Sequence, residues 1–131
     1  MKTIITNGTR KKSVARAYIK EGTGIVRVNS RLLQNIEPMI SRLKMEEPLI
    51  IADEISKKYD INVSVFGGGF NSQAEAARLA IAKALLAKNA KLREEFLRYD
   101  RTLLVADVRQ RESRKPNRHG NARGKAQKSY R

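Results

Sequence analysis

The basic residues of this chain are concentrated at its two ends, and this distribution limits which parts can fold by themselves. Residues 1–20 carry six Lys or Arg and no acid, and residues 108–131 carry nine against one acid. Residues 21–107 carry 13 basic and 12 acidic residues, the balance of an ordinary domain. The formal charge of +15 over 131 residues therefore belongs to the ends. Such segregation indicates a polyanionic partner for the two ends.

Composition excludes several classes of protein. The chain has no Cys and one His, His119, so it lacks the residues of a disulfide framework, a thiolate site or a multi-histidine metal centre. No apolar run approaches the roughly 18 residues of a bilayer span, so no membrane partner is expected. The pairs Asp53-Glu54 and Glu94-Glu95 fall in helix-like stretches and are interpreted as solvent-facing charges. The sequence predicts no cofactor, no metal and no catalytic group.

Residues 1–107 mix strand-like and helix-like patterns without regular alternation, which favours one α+β domain over a doubly wound α/β fold. The strands on either side of Gly22-Thr23-Gly24 are expected to pair antiparallel. Ser72 and Glu75 form a candidate capping box, and residues 103–106 are expected to be a strand or a packed extended segment. The local patterns predict a turn at Asn7-Gly8, strands over residues 13–20, 25–28 and 61–66, and helices over 32–43, from Pro48, over 72–88 and over 92–99.

Three consecutive glycines, Gly67, Gly68 and Gly69, separate a predicted strand from the longest predicted helix. Small residues there allow backbone amides to approach a phosphate at the helix N-terminus. No Lys-Ser or Lys-Thr follows, and the spacing is not Gly-x-Gly-x-x-Gly, so a nucleotide-binding loop is not predicted. The alternative is a tight turn with close strand–helix packing, and both interpretations can hold together.

The basic residues near the N-terminus form a cluster, Arg10-Lys11-Lys12, beside a strand that also carries Arg16. No acidic residue lies nearby in the sequence to pair with them, which favours contact with a nucleic-acid backbone. A solvated charge cluster is the alternative.

Residues 108–131 have only four apolar residues, too few to offset the entropy of ordering. We expect this C-terminal arm to be disordered when free and extended when bound, with a reach of roughly 80 Å. Its basic residues follow no helical spacing, which argues against a membrane-lying helix. Tyr130 is a candidate for stacking on a base, or else a loose terminal aromatic.

Three sequence blocks occur in order along the chain. The first comprises residues 8–16 with Gly22-Thr23-Gly24 and Val28-Asn29, the second residues 65–74, and the third residues 107–109, Glu112, residues 122–123 and residues 127–131. Together they resemble the universal S-nine family of small-subunit ribosomal proteins. The ending Lys128-Ser129-Tyr130-Arg131 resembles the archaeal and eukaryotic branch, and the short chain is similar to an archaeal member.

The resemblance implies a small two-layer β-α domain like the second domain of ribosomal protein S-five, with a left-handed crossover and an extended basic C-terminal arm after residue 107. It implies a non-enzymatic constituent of cytoplasmic ribosomes, in the head of the small subunit, with ribosomal RNA and neighbouring ribosomal proteins as partners. It also implies that the arm extends toward the transfer RNA in the peptidyl site. Residues 116–119 and 124–126 depart from the family pattern, so no path is predicted for the middle of the arm.

The candidate site residues follow from the residues and the resemblance together. Predicted ribosomal-RNA contacts are Arg10, Lys11, Lys12, Arg16, Gly67, Gly68, Gly69, Arg109, Arg111, Arg114, Lys115, Arg118, Arg123 and Lys125, and predicted transfer-RNA-proximal residues are Lys128, Ser129, Tyr130 and Arg131. Two alternatives stay open at this point: an RNA-processing enzyme, which would show metal-dependent cleavage, and a DNA-compacting protein, which would prefer duplex DNA.

Overall fold

A mixed sheet with helices on one face forms the body of the protein. The computed structural model describes residues 2–130. Within them the strands are β1 (Ile4–Arg10), β2 (Ser13–Glu21), β3 (Val26–Val28), β4 (Arg31–Leu32) and β5 (Tyr59–Phe66). The helices are α1 (Met39–Ile51), α2 (Asp53–Ser56), α3 (Phe70–Lys88) and α4 (Leu92–Tyr99), with 3₁₀ turns at Leu33–Asn35 and Arg101–Leu103. The predicted α+β class is confirmed.

The core lies between the sheet and α3. Alternate residues of β2 and β5 point inward, with Ile19 and Ile61 fully buried, and the alanines of α3 let the helix lie close to the strands. α3 packs across β1, β2 and β5, and α1 packs against α3. One face of the sheet is thus covered by helices, and the opposite face is not.

The sheet order β1-β2-β5-β3-β4 differs from the expected pairing of neighbours. β3 does not pair with β2, because β5 lies between them and pairs antiparallel with β2 and parallel with β3. The prediction of an antiparallel β2–β3 pair is therefore wrong. The central position buries the apolar side of β5 under α3 and leaves the short β3 and β4 toward the edge.

The predicted turn at Asn7-Gly8 is also wrong. β1 continues through both residues to Arg10, and the hairpin turns at Lys11 and Lys12, where Lys11 has a φ of 52°. Gly8 faces α3, and a Cβ there would overlap the carbonyl oxygen of Ala76. The glycine thus serves close strand–helix packing instead of a turn.

Two helix starts differ from the sequence prediction. Residues 32–37 contain the end of β4 and a 3₁₀ turn, and α1 begins only at Met39, after Pro38. Pro48 does not open a second helix: it lies in the last turn of α1, fully buried, where its missing backbone N–H leaves the Lys44 carbonyl without its helical donor.

The capping box at Ser72 and Glu75 is not formed. α3 begins two residues earlier, at Phe70, with Gly69 as its N-cap and no side-chain capping bond. The Glu75 carboxylate is instead bound by basic side chains from β1 and α1. The segment 103–106 is not a strand, since Leu103 ends a 3₁₀ turn and is buried. The strands predicted over 13–20 and 61–66 and the helix over 92–99 are confirmed.

Candidate nucleic-acid interface

The β1–β2 hairpin turn presents Lys11 and Lys12 to solvent at one end of the sheet. Arg16, on β2, is exposed on the face of the sheet that no helix covers. Within residues 2–130, none of the three forms an ion pair. The structure therefore groups three cations of the N-terminal cluster on an open surface.

Arg10 points the other way, toward the helices. Its Nε donates to Glu75 Oε2 at 2.7 Å, and its Nη1 lies 3.4 Å from Asp107 Oδ2. The side chain is only 16% exposed. No acidic residue lies near Arg10 in the sequence, but the fold brings Glu75 and Asp107, both distant in sequence, into contact with it. Arg10 thus joins β1, α3 and the start of the C-terminal segment.

Asp107 fixes the point where the C-terminal segment leaves the body. Its carboxylate accepts hydrogen bonds from the guanidinium and from the backbone N–H of Arg109, with Nη2–Oδ2 at 2.6 Å. These bonds, aided by the charge of Arg10, hold the pKa of Asp107 far below its ordinary value. Arg109, one of the predicted RNA contacts, is therefore partly engaged within the protein.

A polar cleft of about 340 Å³ surrounds these ion pairs. Lys44 Nζ lies 3.2 Å from Glu75 Oε1, and Arg78 binds Glu47 and Asp100. The charges balance, since the cleft is lined by Arg10, Lys44, Arg78 and Arg109 together with Glu47, Glu75, Asp100 and Asp107. Mutual pairing makes this cleft a structural junction. No local sequence pattern predicts it, because its members are far apart along the chain.

Within the glycine triplet, Gly67 and Gly68 have a different structural role from Gly69. Gly67 and Gly68 have φ of 78° and 61°, and a Cβ on Gly67 would lie 2.5 Å from the carbonyl oxygen of Lys12. The Gly67 carbonyl accepts bonds from Ser13 Oγ at 2.9 Å and Gln73 Nε2 at 3.0 Å. These contacts support the tight-turn interpretation. Gly69 has open space where its Cβ would be, so phosphate contact at the triplet stays a prediction.

Residues 108–130 are irregular and almost wholly exposed. The middle of this segment folds back: the backbone N–H of Lys115 donates to Asn121 O, and that of His119 to Gly124 O. Arg118 and Lys125 form an isolated antiparallel bridge, and Glu112 pairs with Lys115 and Arg123. Residues 115–126 therefore form a closed loop that contains the middle of the arm, residues 116–126, for which no path was predicted. The extended course of the arm when bound stays a prediction.

The other basic residues of the segment are exposed and form no ion pair within residues 2–130. They are Arg111, Arg114, Arg118, Lys125 and Lys128. Ser129 is exposed, and Tyr130 is 88% exposed. Arg131 lies outside the described residues. Planar guanidinium groups in such positions are suited to phosphate.

Metal sites and membrane-spanning helices are absent from residues 2–130. No group of three or more His, Asp or Glu side chains there is arranged to hold a metal ion. No helix among these residues is long and apolar enough to cross a bilayer. The open basic surfaces at the hairpin and the C-terminal segment are thus the principal candidate site.

Comparison with known proteins agrees with this geometry. A family model described as ribosomal protein S9/S16 matches residues 8–131. Small ribosomal subunit protein uS9 of Methanothrix thermoacetophila is 47% identical over 133 aligned positions, which cover both chains in full. The uS9 protein of Methanococcus maripaludis is 44% identical over 134 positions, again covering both chains. Both organisms are archaea, and the predicted S-nine membership is confirmed. The chain belongs to the ribosomal protein S9/S16 family and is a structural component of the small ribosomal subunit, not an enzyme.

Proposed function

We propose that this protein binds ribosomal RNA in the head of the small subunit through its two basic ends, and that its C-terminal segment extends toward the transfer RNA in the peptidyl site. Neighbouring ribosomal proteins of the head are the expected protein partners. The S-five-like fold of the body and the division of the chain at residue 107 are parts of the same proposal.

The observation that carries this proposal is that the cations at the two ends of the chain far outnumber the acidic residues there, whereas the charges of residues 21–107 nearly balance. In the body, Arg78 and Lys44 are held by acidic side chains, and Lys57 pairs with Asp53. At the hairpin turn, Lys11 and Lys12 have no such partner among the described residues. Most cations of residues 108–130 are equally free. A surplus that the protein does not neutralise itself is available to the phosphates of RNA.

The proposed binding is largely electrostatic. Arg and Lys side chains neutralise phosphates and release counterions, which gives affinity and position without reading bases. Arg-rich segments commonly become ordered when they bind RNA. Asp107, bound by Arg10 and Arg109, would set the direction in which the C-terminal segment leaves the body. The body would thus hold the start of the C-terminal segment in place, and the bound RNA would determine the conformation of the rest of the segment.

The hairpin contribution is tested by a double substitution, Lys11→Ala with Lys12→Ala. We expect a loss of roughly tenfold or more in affinity for a ribosomal-RNA fragment from the subunit head, since two phosphate contacts disappear. The matched control is Lys57→Ala with Lys58→Ala, which removes the same charge at the opposite end of the sheet. Equal losses in both variants would contradict a localised interface, and a preference of the wild type for duplex DNA would overturn the proposal.

The transfer-RNA contribution is tested by deleting residues 128–131. We expect reconstituted small subunits to assemble normally and to bind peptidyl-site transfer RNA more weakly, because the deleted residues carry two cations and an exposed aromatic ring. Failed assembly, with normal transfer-RNA binding in the subunits that survive, would show that the terminus has a different role.

A further inference from the structure

The face of the sheet opposite the helices is uncovered in the described chain. The inward residues of β2 and β5 are buried, whereas their neighbours in sequence point outward. Phe66 on this face is 52% exposed, although phenylalanine usually lies in the core. The uncovered face comprises Ile5, Asn7, Val14, Arg16, Tyr18, Lys20, Arg27, Asp60, Asn62, Ser64 and Phe66.

The register of the strands places two aromatic rings among cations and amides. Tyr18 lies opposite Asn62, and Asn62 lies opposite Arg27 on β3. Arg16 lies opposite Ser64 on the next row, and Phe66 lies one row further on. From strand dimensions, Tyr18 and Phe66 are about 14 Å apart, with Arg16 between them along the sheet.

The charge on the uncovered face is positive. Arg16, Lys20 and Arg27 contribute three cations, against one carboxylate, that of Asp60. Asp60 Oδ1 accepts the backbone N–H groups of Ile25 and Thr23 at 3.0 and 2.9 Å, so its charge is engaged in the adjoining turn. An open groove of about 560 Å³, lined by Tyr18, Arg27, Asn62 and Ser64, crosses this face.

We propose that the uncovered face binds unpaired nucleotides of RNA, with bases stacked on Tyr18 and Phe66 and phosphates bound by Arg16 and Arg27. Aromatic side chains on an open sheet are an established platform for single-stranded RNA, because every base offers a flat face for stacking. The inference rests on the proposed RNA-binding function, but it assigns a different surface and a different chemistry, namely stacking on bases.

A docked protein is a poorer fit to the same face. The centre of a protein–protein interface is depleted of charged residues. Arginine and aromatic residues are exceptions that are common in such interfaces, so Arg16, Tyr18 and Phe66 suit either occupant. The apolar residues Ile5 and Val14, however, stand apart on separate rows, and the net charge of the face is positive. The arrangement favours a ligand that has flat rings and negative charges, as the bases and phosphates of an RNA strand do.

The test uses the full chain with Tyr18→Leu and Phe66→Leu together, since leucine keeps apolar bulk at exposed strand positions. We expect at least tenfold weaker binding of a 12-nucleotide oligouridine, measured by fluorescence anisotropy, and little change for an RNA duplex of equal length. The conservative pair Tyr18→Phe with Phe66→Tyr should restore binding of the single strand.

Two controls make the outcome decisive. Phe70→Leu with Tyr99→Leu removes two aromatics that are 66% and 58% exposed elsewhere on the protein, and should leave binding unchanged. If the double leucine variant binds oligouridine like the wild type while the Lys11/Lys12 variant is weakened, the stacking surface is refuted and the proposed function stands. If the double leucine variant binds RNA normally but fails to enter reconstituted subunits, the face docks a protein and the inference is overturned. If the wild type binds no RNA, both proposals fail.

Discussion

Glu75 connects three parts of the chain through one carboxylate. It lies on α3 and accepts hydrogen bonds from Arg10 on β1 and Lys44 on α1. Arg10 in turn reaches Asp107, where the C-terminal segment begins. Because Arg10 is largely shielded from water, removing its carboxylate partner would leave a partly buried charge unpaired, which costs more stability than breaking an exposed ion pair. This residue pair therefore holds the hairpin and the root of the C-terminal segment in a fixed relation.

The ionisation of Glu75 predicts a pH dependence of stability. Burial raises the pKa of Glu75, but hydrogen bonds and charge from Arg10 and Lys44 outweigh it and leave the pKa below its ordinary value of 4.5. A carboxyl group with a lowered pKa in the folded state contributes stability above its unfolded pKa, and this contribution is lost as the pH falls through the folded pKa. Glu75→Gln should therefore be less stable than the wild type at pH 7, and the difference should shrink below pH 4.5.

Urea denaturation of both proteins between pH 7 and pH 3 measures this difference. Asp53→Asn is the control, because its partner Lys57 is exposed and surface pairs of this kind contribute little. A gap between the wild type and Glu75→Gln that stays constant over the whole pH range would show that the ion pair is not its source.

At the scale of elements, the contact between β1 and α3 depends on small residues. Gly8 faces Ala76 and Ala80, and Thr6 Oγ1 donates to the carbonyl oxygen of Ala80 at 2.8 Å. A hydrogen bond from a strand side chain to a helix carbonyl requires close approach of the two backbones. The packing of Thr6 and Gly8 against α3 thus fixes the position of the hairpin that carries Lys11 and Lys12.

Gly8→Ala is expected to destabilise the protein by about 1–3 kcal/mol, because the added Cβ would overlap the backbone of α3 and force the two elements apart. Gly69→Ala is the matched control: nothing lies near the position of its Cβ, and its φ is −100°. Thermal unfolding compares the two variants. Equal and small losses of stability would mean that β1 can move away from α3 at little cost.

The elements that the sequence predicted well are those with strong local periodicity. Ile61, Val63 and Val65 alternate along β5, and the apolar residues of α3 recur at helical spacing. Sheet order could not be predicted in this way, because β3 pairs with β5, which is more than 30 residues further along the chain. The prediction of a turn at Asn7-Gly8 was wrong because the same dipeptide suits both a turn and a site of close backbone packing.

The positive charge of the candidate site could be predicted from the sequence, but the ion pairs of its cations could not. Exposed cations such as Lys11 and Arg111 follow from composition alone, since so few acids accompany them in sequence. The engagement of Arg10 by Glu75 depends on tertiary contacts over 65 residues of sequence. The grouping of Tyr18 with Arg27 on one face likewise depends on strand order. The sequence therefore predicts that the partner is anionic, and the fold determines which cations remain available to bind it.

At the scale of the whole molecule, the cationic surplus lies in the β1–β2 hairpin, which is part of the sheet, and in the C-terminal segment. Family membership places the chain in the ribosome, and so in the cytoplasm, with ribosomal RNA and ribosomal proteins around it. In a free chain with a net charge of +15 the basic residues repel one another, and a bound polyanion neutralises this charge. Binding energy should therefore reside mainly in counterion release, a property measurable through salt dependence.

The salt dependence of RNA binding should fall when the C-terminal cations are removed. If six of them meet phosphates, replacing Arg111, Arg114, Lys115, Arg118, Arg123 and Lys125 with Gln should make the slope of log K against log salt shallower by about 4 to 5. The body and its ion pairs are untouched, since Asp107 and Arg109 are kept. Filter binding to a ribosomal-RNA fragment over a range of KCl concentrations measures both slopes. An unchanged slope would mean that these cations stay in solvent and that the hairpin alone accounts for the electrostatic binding.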